Sequence, residues 1–223
     1  MSILFPKYCP GCGQVLTVGE QFLCTLCRNH LFETNFHQHP SNPIHKKLYG
    51  RCDLYCAASL LYFEKNTVTQ QLIHELKYHH NEQIGQWLGA WLGAKLSAIP
   101  RFQKTEIVVP VPIHPQRLSK RGYNQVTLFG KELAAALTAE YCENILVKTT
   151  ATASQTKKNA EQRWQSSKDI YRLNRSEKIR NRHVLLVDDL ITSGATIEFC
   201  YNELCKADNT KVGVATMAFA MAI

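Results

Sequence analysis

The chain has 223 residues, 45% of them apolar and 20% charged, which suits one large domain or a medium domain with a small appendage. A formal net charge of +8 favours polyanionic partners such as nucleic acid, nucleotides or a membrane surface, without marking a site. No apolar run reaches the ~18 residues a transmembrane helix needs, so no membrane insertion is expected; the longest candidate, 84–99, carries Gln86 and Lys95.

The start, MSILFPKYCPGCG, meets a cysteine pair before any apolar signal core develops, so a cytoplasmic protein is expected. Cys9-x-x-Cys12 and Cys24-x-x-Cys27 are two tight pairs separated by eleven residues. That spacing predicts two knuckles whose four thiolates close a tetrahedral, structural Zn²⁺ site. A redox Cys-x-x-Cys is the rival reading, and two pairs so close favour metal. Cys52 and Cys56 are weaker: the remnant of a second knuckle helped by His37, His39 or His45, or, preferred for Cys56, a buried thiol at the start of a strand. Cys142, Cys200 and Cys205 read as core or surface residues.

Residues 29–50, rich in His, Asn, Pro and Lys, show no period and read as a linker. CAASLLYFE at 56–64 reads as a strand. A helical pattern begins at Thr67, breaks at 78–82, and resumes from Ile84 until Pro100 ends it. Gly85, Gly89 and Gly93 recur on one face and predict close helix packing. His79 and His80 lie at the polar break and are assigned to the surface, with no metal role.

Strands and helices then alternate. Strands are predicted over 106–111, 145–149, 183–187 and 211–219, with helices over 124–139 and 195–207. Residues 151–168 are polar and basic, a loop or a weak helix. The order β-α-β-loop-β-α-β implies an α/β fold with a mostly parallel sheet and helices on both faces. The last strand is expected at the sheet edge.

The chemistry concentrates in residues 184–196, VLLVDDLITSGAT. A buried strand runs into Asp188 and Asp189, where open α/β sheets bind ligands. Adjacent carboxylates repel each other and need hydroxyls, a cation or water. Thr192, Ser193 and Thr196 offer hydroxyls, Gly194 permits close approach, and the following helix start with Ala195 presents backbone N–H groups to an anion. A phosphorylated ribose with Mg²⁺ accounts for all of these together. An Asx-turn and helix cap accounts for each singly, but not for the second acid or the three hydroxyls.

The stretch resembles the phosphoribosyl pyrophosphate (PRPP) motif of type I phosphoribosyltransferases. VVPVPIHPQRLSKRGYNQ at 108–125, QTKKNAEQR at 155–163, HELKYHH at 74–80 and the cysteine pairs extend the resemblance, which is to the ComF/GntX family and covers nearly the full length. The chain departs from the family pattern at Ser166, where Asn is usual.

The resemblance implies a Rossmann-type parallel sheet of the type I phosphoribosyltransferase kind over 49–223, with a small four-cysteine zinc-ribbon domain and linker over 1–48. It makes Asp188 and Asp189 the catalytic pair that holds the ribose hydroxyls, and gives the 5-phosphate to residues 192–196. Pro110 and Pro112 stiffen a turn followed by Arg117, Lys120 and Arg121, cations suited to a pyrophosphate leaving group or else a solvated basic turn. Residues 151–164, with Gln155, Lys157, Lys158 and Arg163, are a mobile lid or a disordered basic loop.

Three functions stay open. One is a Mg²⁺-dependent phosphoribosyltransferase, whose acceptor hood would have to come from residues 50–105. Another is a PRPP-binding competence protein that handles single-stranded DNA with a protein of the competence machinery. The third is a PRPP-sensing regulator that binds nucleic acid. Tyr123, Trp164 and Tyr171 are the candidate stacking residues for a single strand.

Overall fold

The computed structural model describes residues 6–149 and 171–221. In chain order the strands are β1 (Ala57–Phe63), β2 (Ile107–Pro110), β3 (Glu140–Tyr141), β4 (Leu146–Lys148), β5 (Tyr171–Leu173), β6 (His183–Ile191) and β7 (Lys211–Ala220). The helices are α1 (Thr25–Asn29), α2 (Pro43–Lys47), α3 (Val68–Tyr78), α4 (Gln83–Leu96), α5 (Pro100–Gln103), α6 (Pro115–Arg121), α7 (Thr127–Leu137), α8 (Ser176–Ile179) and α9 (Ala195–Leu204).

Five strands form one sheet in the order β1-β7-β6-β2-β3, and every neighbouring pair is parallel. Its central strands are rich in Val, Ile, Leu and Ala because both faces are covered. Side chains alternate across the sheet and feed two cores. Val108, Leu185, Val187, Ala215 and Met217 join Leu72, Leu88 and Phe129 from α3, α4 and α7. Ile107, Val109, Val184, Leu186 and Val214 join Ile44, Ile197 and Leu204 from α2 and α9.

The chain leaves β2 through α7 toward β3 on one side, and leaves β6 through α9 toward β7 on the other. The connections therefore diverge between β2 and β6, which pair from Ile107↔Val184 to Pro110↔Val187. Such a switch point opens a crevice at the carboxyl ends of the two strands.

The glycine stripe packs α4 against α7. A Cβ on Gly89 would stand 2.8 Å from the Phe129 carbonyl oxygen, and one on Gly93 2.8 Å from Ala136 Cβ. The cysteine knuckles sit on the same layer: Phe22 stacks on Trp87 at 5.1 Å between ring centroids, and Lys95 pairs with Glu33 at 2.7 Å.

The break expected at 78–82 holds and separates α3 from α4, near His80 with its positive φ of 55°. Several expectations change. Pro100 begins α5 as well as ending the preceding run, its fixed φ suiting a first helical turn. The segment over 145–149 does not enter the main sheet: Leu146–Lys148 pairs antiparallel with Tyr171–Leu173, while Glu140–Tyr141 supplies the edge beside β2. The last strand is not an edge either, because β1 pairs along its outer side and leaves it buried over most of its length. Residues 36–48, without period, form a 3-10 turn at Phe36–Gln38 and α2, and Ile44 and Leu48 are fully buried. Asn42 caps α2 and ties it to the sheet, its Nδ2 donating to the Ala57 carbonyl at 2.8 Å.

Candidate functional site

The crevice at the switch point is a cavity of about 210 Å³. β6 carries Asp188 and Asp189 into it, and the turn after β2 supplies Pro112 and His114. Arg117 and Arg121 come from α6, and Thr196 from the first turn of α9. Lys77 and Tyr78, at the end of α3, complete the wall with Gln125, Lys148 and Tyr171.

Both acids are buried, Asp188 at 7% exposure and Asp189 at 5%. Burial and the neighbouring Asp189 charge push Asp188 up to about 8, against the pull of the Asp189 backbone N–H, Lys77 and Lys148. Its Oδ1 accepts from that N–H at 2.8 Å. Asp189 Oδ2 meets Lys77 Nζ at 3.1 Å and accepts from Gln125 Nε2 at 2.9 Å. Arg121 in turn donates to Gln125 Oε1 and lies over the Tyr78 ring. Lys148 donates to the Tyr171 hydroxyl at 2.8 Å, and burial followed by Arg117 lowers its affinity for a proton. Two oxygen-bearing acids thus face a wall of cations, an arrangement suited to vicinal hydroxyls and a hard divalent ion on one side and phosphate oxygens on the other.

The loop between β6 and α9 is clasped from outside. Gly194 is the cap of α9, with φ of 82° and no side chain to cap it; Ala195 N–H donates to Ser193 Oγ at 3.4 Å, and the positive end of the helix faces the loop. A Cβ there would stand 2.7 Å from Leu48 Cδ2. Lys47 Nζ donates to the Thr192 carbonyl at 2.6 Å and to Ala220 at 3.0 Å. Arg51 donates to the Ser193 carbonyl at 3.2 Å and pairs with Glu198 at 3.0 Å.

The structure therefore brings together Asp188, Asp189, Thr196, Pro112, Arg117 and Arg121. Thr192, Ser193, Gly194 and Ala195 form the adjoining loop but do not line the cavity, and Gln155, Arg163 and Trp164 lie outside the described residues. Of the proposed stacking residues, Tyr171 is buried at 5% exposure and engaged by Lys148, and the Tyr123 hydroxyl donates to the Leu76 carbonyl. The Tyr123 ring is half-buried beside His80. Sequence reading missed Lys47, Leu48 and Arg51, which sit in a segment without periodicity. It had HELKYHH in view but assigned no task to Lys77.

The four N-terminal cysteines converge, with their sulfurs within 4.8 Å of one another. Cys9 Sγ accepts from the Cys24 backbone N–H and Cys24 Sγ from that of Cys27, each at 3.4 Å. Burial raises the Cys9 thiol, but N–H groups of Cys24, Gly11 and Cys12 outweigh it and bring it down to about 7. Burial and the neighbouring thiols push Cys27 up. Side chains at position 11 are excluded, since a Cβ on Gly11 would stand 2.8 Å from Cys27 Sγ. A closed sulfur set of this kind can hold a metal ion. Cys52, Cys56 and the three nearby histidines form no such group among the described residues; Cys56 is a buried thiol just before β1.

This parallel sheet, with paired acids on β6 and an anion-ready helix start after it, defines a protein of the phosphoribosyltransferase fold class. Residues 123–222 match the phosphoribosyl transferase domain family. The chain is 30% identical over 129 residues to the DNA utilization protein YhgH of Escherichia coli (strain K12), covering 56% of each chain. It is 35% identical over 102 residues to Competence protein F of Haemophilus influenzae, covering 45% of this chain and 43% of that protein. The chain spans about half the length of the curated relatives it matches. These relatives and this domain support a protein of the ComF kind.

Among solved structures it resembles an allosteric regulatory enzyme of purine biosynthesis, with 20% identity, TM-score 0.43, and coverage of 61% of this chain and 25% of that one. It also resembles a hypoxanthine phosphoribosyltransferase from Staphylococcus aureus, with 16% identity, TM-score 0.35, and coverage of 70% and 73%. No helix among the described residues is long and apolar enough to cross a membrane.

Proposed function

We propose that the chain binds PRPP with Mg²⁺ and acts in DNA uptake for natural transformation, working in the cytoplasm with single-stranded DNA and a protein of the competence machinery. The observation that carries the ligand reading is the buried acid pair facing Lys77, Arg117, Arg121 and Lys148 across one cavity, beside an uncapped helix start. Asp188 and Asp189 would take the ribose hydroxyls and lie near the Mg²⁺, while the start of α9 would take the 5-phosphate. The thiolate quartet, buried except at Cys12, fits Zn²⁺ in a structural role. The DNA role rests on the names of the relatives, YhgH and Competence protein F, and on the net charge of +8.

Catalysis is the second reading, favoured by Lys77 and Tyr78. They reach the acid pocket from within residues 50–105, where a hood over an acceptor is expected. In that case the cations around Arg117 and Arg121 would stabilise charge developing on departing pyrophosphate.

Calorimetry with Mg²⁺ and PRPP tests the binding. Heat is expected with the wild type and not with Asp188→Asn/Asp189→Asn; equal binding by both, or none by the wild type, refutes it. Pyrophosphate release against a panel of sugars, bases and DNA separates enzyme from binding protein. A gel shift of single-stranded DNA across a salt series tests the nucleic-acid role, which fails if nothing binds at low salt.

A further inference from the structure

We propose that the last turn of α3 is a second metal site, at which His74, Glu75 and His79 hold a divalent transition ion of the zinc class. Their ligand atoms lie within 4.8 Å of one another, and the two imidazole rings are 5.4 Å apart between centroids. Glu75 Oε1 already accepts from Gln71 Nε2 at 3.0 Å, a bond that orients the carboxylate. Among the described residues the two rings contact each other, and His74 also contacts Tyr78, but neither histidine makes a side-chain hydrogen bond. Both imidazoles are exposed, so an ion reaches them directly.

The donor set selects the ion. Two imidazoles with one carboxylate suit Zn²⁺, Ni²⁺, Co²⁺ or Cu²⁺, whereas Mg²⁺ and Ca²⁺ prefer oxygen alone. His79 is the C-cap of α3, where the helix dipole favours a cation. Three protein ligands leave coordination positions open, unlike the closed quartet of Cys9, Cys12, Cys24 and Cys27. Glu75 lines a cavity of about 540 Å³ together with Cys9 and Cys12.

The position gives the ion a mechanical consequence. His74 and His79 bracket Lys77 and Tyr78, which line the acid pocket. An ion joining the histidines pins the turn that aims Lys77 at Asp189.

The test is zinc uptake by untagged full-length protein, with bound metal counted after equilibrium dialysis against zinc-buffered solution. The wild type is expected to take up one equivalent more than His74→Ala/His79→Ala, and Glu75→Gln to hold that equivalent about tenfold more weakly. Millimolar Mg²⁺ is expected not to displace it. The cysteine-bound equivalent, retained by every variant, reports that each is folded. Equal uptake by wild type and double variant overturns the proposal, as does displacement of the extra equivalent by Mg²⁺.

Discussion

Lys77 and Asp189 are joined by an ion pair of 3.1 Å that links the end of α3 to the acid strand. The lysine side chain is 23% exposed and the aspartate 7%, so solvent screens the pair only in part. Removing one partner of such a pair leaves an uncompensated buried charge. Lys77→Met is expected to lower stability by about 2 kcal/mol, read as a lower denaturant midpoint at unchanged slope. An unchanged midpoint would show that the acid pair does not depend on this ammonium.

Asp188 binds its proton more tightly folded, near 8, than in an unfolded chain, near 3.8. Its contribution to stability is therefore complete below the unfolded value and is lost as pH rises through the folded one. Asp188→Asn keeps the shape without the titration. The variant is expected to melt about 3 °C or more above wild type at pH 8.5, with the gap shrinking toward pH 4. Parallel melting curves across that range would contradict the assignment.

The same proton predicts linkage to ligand. If PRPP with Mg²⁺ needs the ionised acid, binding releases a proton below pH 8 and tightens as pH rises toward it. Calorimetry in two buffers of different ionisation enthalpy reads this directly, and no buffer dependence at pH 7 counts against it.

Among the described residues Arg51 holds the loop between β6 and α9 through the Ser193 carbonyl and an ion pair with Glu198. Arg51→Ala is expected to weaken PRPP binding about tenfold, a loss of about 1.4 kcal/mol, while leaving the fold intact. Affinity equal to wild type would mean that the loop holds its shape without the clasp.

Gly89 lets α4 rest on the backbone of α7, with the Phe129 carbonyl 2.8 Å from where a Cβ would sit. Gly89→Ala is expected to destabilise by about 2 kcal/mol, although alanine is the better helix former. Thermal melting checks the sign: a rise would show that the helices part freely.

Metal analysis of anaerobically purified protein is expected to find about one tightly held zinc per chain. Strong chelation should lower the melting temperature, because Cys9, Cys24 and Cys27 belong to the same core as Leu72, Leu88 and Phe129. Protein that retains no zinc, or that melts identically after chelation, would leave the cysteines as ordinary core thiols.

Much of the acid site was legible because its parts are contiguous. VLLVDDLITSGAT packs strand, acids, turn and helix start into one stretch, and VPVPIHPQR does so for the facing turn. What was not legible depends on contacts between distant segments. Nothing local marks Lys47 or Arg51 as partners of carbonyls at 192 and 193, and no periodicity reveals that Ile44 and Leu48 are core. The strand errors have the same origin. A two-residue strand such as Glu140–Tyr141 carries no period, so the more apolar Leu146–Lys148 took its place in the reading. The position of β7 was hidden because the strand that covers it, β1, comes before the whole α/β series in the chain.

The clasp on the loop between β6 and α9 grips oxygen atoms that every residue type possesses. Lys47 and Arg51 read the path of the chain at Thr192 and Ser193 and ignore what it displays. Side chains at 192 and 193 can therefore be exchanged while these two anchoring bonds stay the same. A larger side chain at position 48, far off in sequence, would press on the same loop at Gly194 without touching either of those bonds.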